Sequence, residues 1–153
     1  MEELVWIDAP SMKASIAKSI LTHLPDWFGL PESTQHYIDD SRALPFVACL
    51  SDGNPVGFAV LRQTSPHAAE LYVMGVLPEY HRQGIGTRLL GTLKAYAKAQ
   101  GFAYLQVKTV QSGHYESYDR TNLFYQRMGF LELEVLPLWD EWNPCQVYVM
   151  SLR

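Results

Sequence analysis

Seven residues, His81-Arg82-Gln83-Gly84-Ile85-Gly86-Thr87, join a stretch of strand character to one of helical character. Glycines at such a junction let a ligand approach the backbone with no Cβ in the way. The first N–H groups of a helix have no partner inside it, and the helix dipole favours an anion beside them. Arg82 and Arg88 flank the glycines. The chemistry these residues suit is the cradling of a phosphate. From Tyr80 to Tyr115 the chain holds no Asp or Glu. That window nevertheless takes Arg82, Arg88, Lys94, Lys98 and Lys108, together with His81 and His114. In a chain of net charge −4, such a window suits one anionic ligand. A plain helix followed by a buried strand would produce the same window with no ligand.

Two common cradles fit this turn poorly. The dinucleotide fingerprint needs a third glycine three residues after the second, where this chain has Leu89. The P-loop needs Gly-Lys-Ser/Thr, and here Gly86 is followed by Thr87 and Arg88.

The elements that must hold the turn can be read from periodicity. Leu4–Ile7 reads as a strand. A helix opens at Pro10-Ser11, repeats Met12, Ile16, Ile20, Leu21 and Leu24 at helical spacing, and ends at Pro25. The stretch PDWFGLPES reads as a loop, and Ser33 or Thr34 as the cap of a short helix through Ile38. Pro45–Leu50 and Val56–Leu61 form a hairpin around Asp52-Gly53-Asn54. After a turn at Gln63–His67, Glu70–Leu77 is a strand in which Gly75 marks a bulge or a close backbone approach. Ile85, Leu89, Leu90, Leu93, Tyr96 and Ala97 make one face of a helix closed by Gly101. Tyr104–Val110 is a strand and Asp119–Met128 a helix stopped by Gly129. Phe130–Leu136 and Gln146–Leu152 are final strands with PLWDEWNPC looping between them. Strand, helix and strand around residues 70–110 make a right-handed βαβ unit, while the rest pairs by hairpins. The expected class is α/β (α+β): a mixed, mostly antiparallel sheet, one central parallel βαβ unit, and helices on both faces.

The segment PEYHRQGIGTRLL, followed after helix and strand by FYQRMGF, resembles the two signatures of the GNAT superfamily of N-acetyltransferases. These are Gln/Arg-x-x-Gly-x-Gly/Ala and a helix carrying Tyr-x-x-x-Gly-Phe. The resemblance covers about residues 44–136 well and the first 43 in element order only. It implies acetyl-CoA as co-substrate. The turn amides of Arg82, Gln83, Gly84, Ile85, Gly86 and Thr87 would hold the pyrophosphate. The backbone of Met74, Gly75 and Val76 would pair with the pantetheine arm, and Tyr125 would sit by the thioester sulfur. Two positions depart from the pattern: His81 stands at the Gln/Arg position, and Tyr118 where an asparagine is common.

Direct amide formation requires the amine to lose a proton, the thioester carbonyl to be polarised and the thiolate to be protonated or stabilised. A tyrosine of ordinary pKa near 10 is a suitable acid toward a thiolate near 8.5. Tyr125 takes that role here, the alternative being a core tyrosine. Family members often place a glutamate beside the acetyl group. Glu70 is accordingly the candidate base, or else a solvated strand-end carboxylate, with His114, Glu116 and Asp119 behind it. Trp27, Phe28 and Tyr115 are loop aromatics suited to walling an amine acceptor. Trp139 and Trp142 serve the same purpose or seal the ends of the core.

At 153 residues, 48% hydrophobic and 18% charged, the chain is expected to fold as a single N-acetyltransferase domain over residues 1–153. No apolar run approaches the roughly 18 residues of a membrane span, and no secretory signal is evident. The acidic balance argues against nucleic acid as a partner. Five scattered histidines suggest no metal, and Cys49 and Cys145 read as buried free thiols of a cytoplasmic protein. The expected partners are an amine acceptor, small molecule or peptide, and a second copy in a homodimer. A CoA-binding regulatory module without catalysis is the alternative function, and an interaction domain with no ligand is a third.

Overall fold

The computed structural model describes all 153 residues. In chain order the elements are β1 (Glu2–Trp6), α1 (Pro10–Leu21), α2 (Pro31–Ser41), β2 (Phe46–Ser51), β3 (Asn54–Gln63) and β4 (Ala68–Val76). A 3-10 turn at Pro78–Tyr80 leads to α3 (Ile85–Ala99), β5 (Tyr104–Val110), α4 (Glu116–Arg127), β6 (Leu131–Asp140) and β7 (Asn143–Ser151). The seven strands run in the order β1-β2-β3-β4-β5-β7-β6, mostly antiparallel with one parallel pair, as the sequence predicts. Backbone contacts divide the chain into two compact units, Met1–Arg62 with Leu71–Tyr96 and Gln63–Glu70 with Ala97–Arg153. No helix is long and apolar enough to cross a membrane.

In the first unit, β1, β2 and β3 form an antiparallel meander. The β2–β3 hairpin turns on Asp52 at φ 50° and Gly53 at φ 83°, the left-handed pair of a tight hairpin. Helix α1 presents Ile16, Ala17, Ile20 and Leu21 to a core shared with Ile38, Phe46, Phe58 and Val73. Phe46 and Phe58 stack there at 5.2 Å. Lys13 lies in the same stripe and is buried, its ammonium satisfied by the Leu44 carbonyl at 2.7 Å. Helix α2 starts earlier than predicted. Pro31 opens it, since a first-turn proline has the right φ and no N–H to waste. Thr34 is therefore not a cap; it is buried, and its hydroxyl donates to the Phe28 carbonyl at 3.0 Å.

The close approach predicted at Gly75 exists, and the neighbour is α1 and the turn after it. A Cβ on Gly75 would lie 3.0 Å from Leu24 Cδ1 and 3.1 Å from Ile20 Cγ2. Glycine here makes room for the core, and no bulge is needed to explain it.

In the second unit, β5 pairs with β7 and β7 with β6, all antiparallel. Helix α4 ends at Gly129, φ 101°. Its N–H donates to the Gln126 carbonyl at 3.1 Å, and the Phe130 N–H to that of Tyr125 at 3.1 Å, a Schellman closure. Asn122 is almost fully buried. It accepts from the Tyr148 hydroxyl at 2.6 Å and donates to the carbonyls of Val110 at 2.8 Å and Tyr118 at 2.7 Å. The predicted loop PLWDEWNPC is mostly strand. Only Glu141-Trp142 turns, because Asp140 Oδ1 accepts the N–H groups of Trp142 at 2.8 Å and Asn143 at 2.9 Å. Trp139 and Trp142 stand exposed on this hairpin and do not seal the core. Cys49 in the first unit and Cys145 in the second are buried free thiols, each pushed up in pKa first by burial.

Gly75→Val is expected to destabilise the protein by about 1–3 kcal/mol, the usual cost of overpacking a full core. Gly75→Ala should cost less, because the contacts are flexible side-chain ends. Urea denaturation of both variants measures the difference.

Candidate functional site

The strand-to-helix turn is built by local backbone constraints. Pro78 starts the 3-10 turn, which closes with the His81 N–H on the Pro78 carbonyl at 3.2 Å. The His81 ring then folds back. Its Nε2–H donates to the Val76 carbonyl at 2.6 Å, a contact that fixes the proton on Nε2. Trp27 meets the His81 ring edge-on at 6.0 Å. The departure from Gln/Arg at this position thus trades a long side chain for a short clamp on the end of β4.

Beyond the clamp, Arg82 at φ 64° and Gly84 at φ 79° both take left-handed backbone. A Cβ on Gly84 would meet nothing within 4 Å, so glycine there serves conformation, not room. The first bond of α3 runs from the Arg88 N–H to the Gly84 carbonyl at 3.1 Å. The N–H groups of Gly84, Ile85, Gly86 and Thr87 consequently have no partner within the helix. Gly84 and Thr87 are exposed and Gly86 half-buried, while Ile85 anchors the turn in the core. No acidic residue occurs in the first turn of α3. Arg88 does not simply flank the glycines: it lines an open groove of about 720 Å³ with Leu4, Trp6 and Tyr96. In that groove the Trp6 and Tyr96 rings lie 5.0 Å apart.

Trp27 and Phe28 are half-buried against the α1–α2 core. Phe28 meets Tyr37 edge-on at 5.7 Å, and Tyr37 meets Tyr72 at 5.3 Å. The Arg62 guanidinium stands 4.3 Å over the Tyr72 ring, and the Tyr72 hydroxyl donates to the Asp40 carboxylate. Burial first, then that bond, raises the Tyr72 pKa strongly. Sequence reasoning missed this cluster of Tyr37, Asp40, Arg62 and Tyr72. The available signal was the period-two pattern of β4, which sets Glu70, Tyr72 and Met74 on one face. Tyr115, grouped with Trp27 and Phe28 in the sequence, belongs to the second unit. It is exposed beside Tyr118, ring centroids 6.0 Å apart.

Tyr125 lies in the last turn of α4 and is 8% exposed. Its ring is held by Phe124 at 5.6 Å, Phe130 at 5.7 Å and Tyr148 at 6.1 Å. Glu70 is not a solvated strand end. It is buried, and its Oε2 accepts from Lys108 Nζ at 2.7 Å. One cation of the acid-free window is thereby committed to an internal pair. Of the other candidate bases, Asp119 accepts the Gly113 N–H at 2.7 Å and Glu116 pairs with Arg120 at 3.2 Å. His114 is exposed.

Residues 11–130 match the Acetyltransferase (GNAT) family. The N-alpha-acetyltransferase RimI of Mycobacterium tuberculosis is 36% identical over 87 residues, 55% of this chain and 53% of that protein. The chain spans about half the length of the curated relatives it matches. A solved GNAT-family structure from Desulfovibrio desulfuricans superposes with a TM-score of 0.85 at 19% identity, over 100% of both chains. An aminoglycoside 6'-N-acetyltransferase complexed with coenzyme A gives 0.73 at 16% identity, over 97% of both. At these identities the two structures establish a shared fold.

The Glu70–Lys108 pair carries a stability expectation. Lys108→Met leaves a buried carboxylate without its cation, which costs up to about 3 kcal/mol after allowance for the partial exposure of the lysine. Adding Glu70→Gln to that variant should recover most of the loss. Chemical unfolding of the single and double variants tests this, and equal losses in both would remove the pair from the core's energetics.

Proposed function

The chain belongs to the GNAT acetyltransferase family, and we propose that it moves an acetyl group from acetyl-CoA to a primary amine by direct transfer in a ternary complex. Residues 1–153 are read as the transferase domain. The observation that carries the donor half is the row of partnerless N–H groups at Gly84–Thr87, presented by left-handed backbone at Arg82 and Gly84. Dipolar donors in that arrangement suit the pyrophosphate of CoA. The relative complexed with coenzyme A and the N-alpha-acetyltransferase RimI support the same reading. Met74, Gly75 and Val76 are assigned to the pantetheine arm. The buried thiols fit a reducing compartment, so the site of action is taken to be the cytoplasm.

In the proposed step the neutral amine attacks the thioester carbonyl. The C–N bond forms and the C–S bond breaks. The amine proton passes to a base, for which Glu70 is assigned, and the departing thiolate takes a proton from the Tyr125 hydroxyl. Trp27, Phe28 and Tyr115 are assigned to the acceptor. Each could serve a cationic or amphipathic amine through its ring face. A panel of amines followed by CoA release identifies the acceptor class. Binding of acetyl-CoA with no release across the panel would instead favour the regulatory module.

Two variants test the assignment. Gly86→Val crowds the turn without forcing a left-handed residue, unlike any change at Gly84. It should weaken acetyl-CoA binding by about 10–100-fold, the worth of one charge-assisted hydrogen bond or so. Unchanged affinity in calorimetry on the folded variant would sink the cradle. Tyr125→Phe keeps the ring and loses one oxygen. Acetyl-CoA affinity should hold while turnover falls by about 10²–10⁴-fold. A core role predicts the reverse, a stability loss of roughly 1 kcal/mol with turnover intact.

A further inference from the structure

The outermost strand β6 is left uncovered on both faces, with every residue except Leu136 exposed. Leu131, Leu133, Val135, Leu138, Trp139 and Trp142 are each between 42% and 71% exposed. Six large exposed apolar residues gathered on one hairpin differ from apolar groups scattered singly over a surface.

The charges on the same hairpin say what fits it. Residues 128–152 contain Glu132, Glu134, Asp140 and Glu141 and not one Lys or Arg. Glu132, Glu134 and Glu141 are exposed and take part in no ion pair. The pairing register slips between Glu132 and Glu134, so Glu132 falls opposite Tyr148 and Glu134 opposite Val147. Adjacent residues of β7 point to opposite faces, and the slip therefore places one carboxylate on each side of the strand. A bulge, flanking charges and Pro137 are features that discourage indiscriminate strand pairing at an edge. A second copy laid on this edge would bring carboxylates to carboxylates with no cation between them, which disfavours the pairing.

We infer that β6 is a docking edge for an extended polypeptide segment that is both apolar and basic. The leucines, Val135 and the two tryptophans take the apolar side chains, and Glu132, Glu134 and Glu141 take the cations. Backbone pairing along an open edge supplies affinity, and the acids supply choice of partner. The inference is independent of acetyl transfer, since none of these residues belongs to the proposed reaction.

The probe is a synthetic twelve-residue peptide mixing lysine and arginine with valine and threonine. Its control replaces every cation with glutamate. Calorimetry should show binding of the basic peptide only, weakening as salt rises from about 50 to about 300 mM. Amide hydrogen exchange should slow at Leu131–Leu136 when the peptide is bound. The double variant Glu132→Lys/Glu134→Lys should keep its melting temperature and acetyl-CoA affinity and lose about tenfold or more in peptide affinity. No binding by the wild-type chain, or equal binding by the double variant, would overturn the inference. So would a concentration-dependent dimer in sedimentation that protects Leu131–Leu136 and tightens with salt, because the edge would then belong to a second copy.

Discussion

The seat of helix α1 over Gly75 is the constraint from which the first unit's chemistry follows. Leu24 and Ile20 fill the volume that any larger residue at position 75 would need. That contact packs the end of β4 against the core, and pairing to β3 runs on to Leu77, whose N–H donates to the Val56 carbonyl at 2.8 Å. Pro78 then enforces a 3-10 turn, the His81 ring fastens back on the Val76 carbonyl, and α3 begins with its amides unspent. A turn proposed to hold an anion must be stiff without consuming its own donors. Here the stiffness comes from side-chain packing beneath it and from one imidazole beside it.

The second unit solves a different problem, the burial of polar groups. Glu70, Thr109, Ser117, Asn122 and Gln146 are all buried, and no buried side-chain nitrogen or oxygen in the chain lacks a hydrogen-bond partner. Asn122 joins α4 to β5 and to Tyr148, while Glu70 is joined to Lys108. Such satisfied networks hold side-chain rotamers more tightly than apolar contacts do. Tyr125 sits in the same unit among three aromatic rings, so its hydroxyl is carried on a ring with little freedom to turn.

Much of this was legible in the sequence, for local reasons. The strand Tyr104–Val110 was found to the residue, because its alternation is clean and Gly101 ends the helix before it. The turn at residues 81–87 was visible because its glycines and cations are adjacent in the chain, at a junction of strand and helix. What was not legible depended on distant partners. Thr34 looked like a cap until Pro31 took the first turn. Glu70 was read as a candidate base or else a solvated strand end, and its ion pair went unseen because Lys108, 38 residues away, cannot be paired with it by spacing. Both strands of the β6–β7 hairpin were read, but PLWDEWNPC looked like a loop because Pro137 and Pro144 suggest breaks; Pro137 lies on the outer strand and Pro144 at the very start of β7, places where a sheet tolerates proline. Gly75 was noticed, but its neighbour was not, since α1 lies more than fifty residues upstream.

Cys49 and Cys145 have a consequence of another kind. Each is wholly buried and reduced, and each belongs to a different compact unit. A thiol reagent in solution can reach either sulfur only when the surrounding layer opens. The raised pKa values keep the nucleophilic thiolate scarce in the closed state. The chain therefore carries two internal clocks for its own breathing, one per unit, readable by mass spectrometry without introducing a label site. Whether the clocks run together or apart distinguishes a molecule that opens as a whole from one that opens in halves.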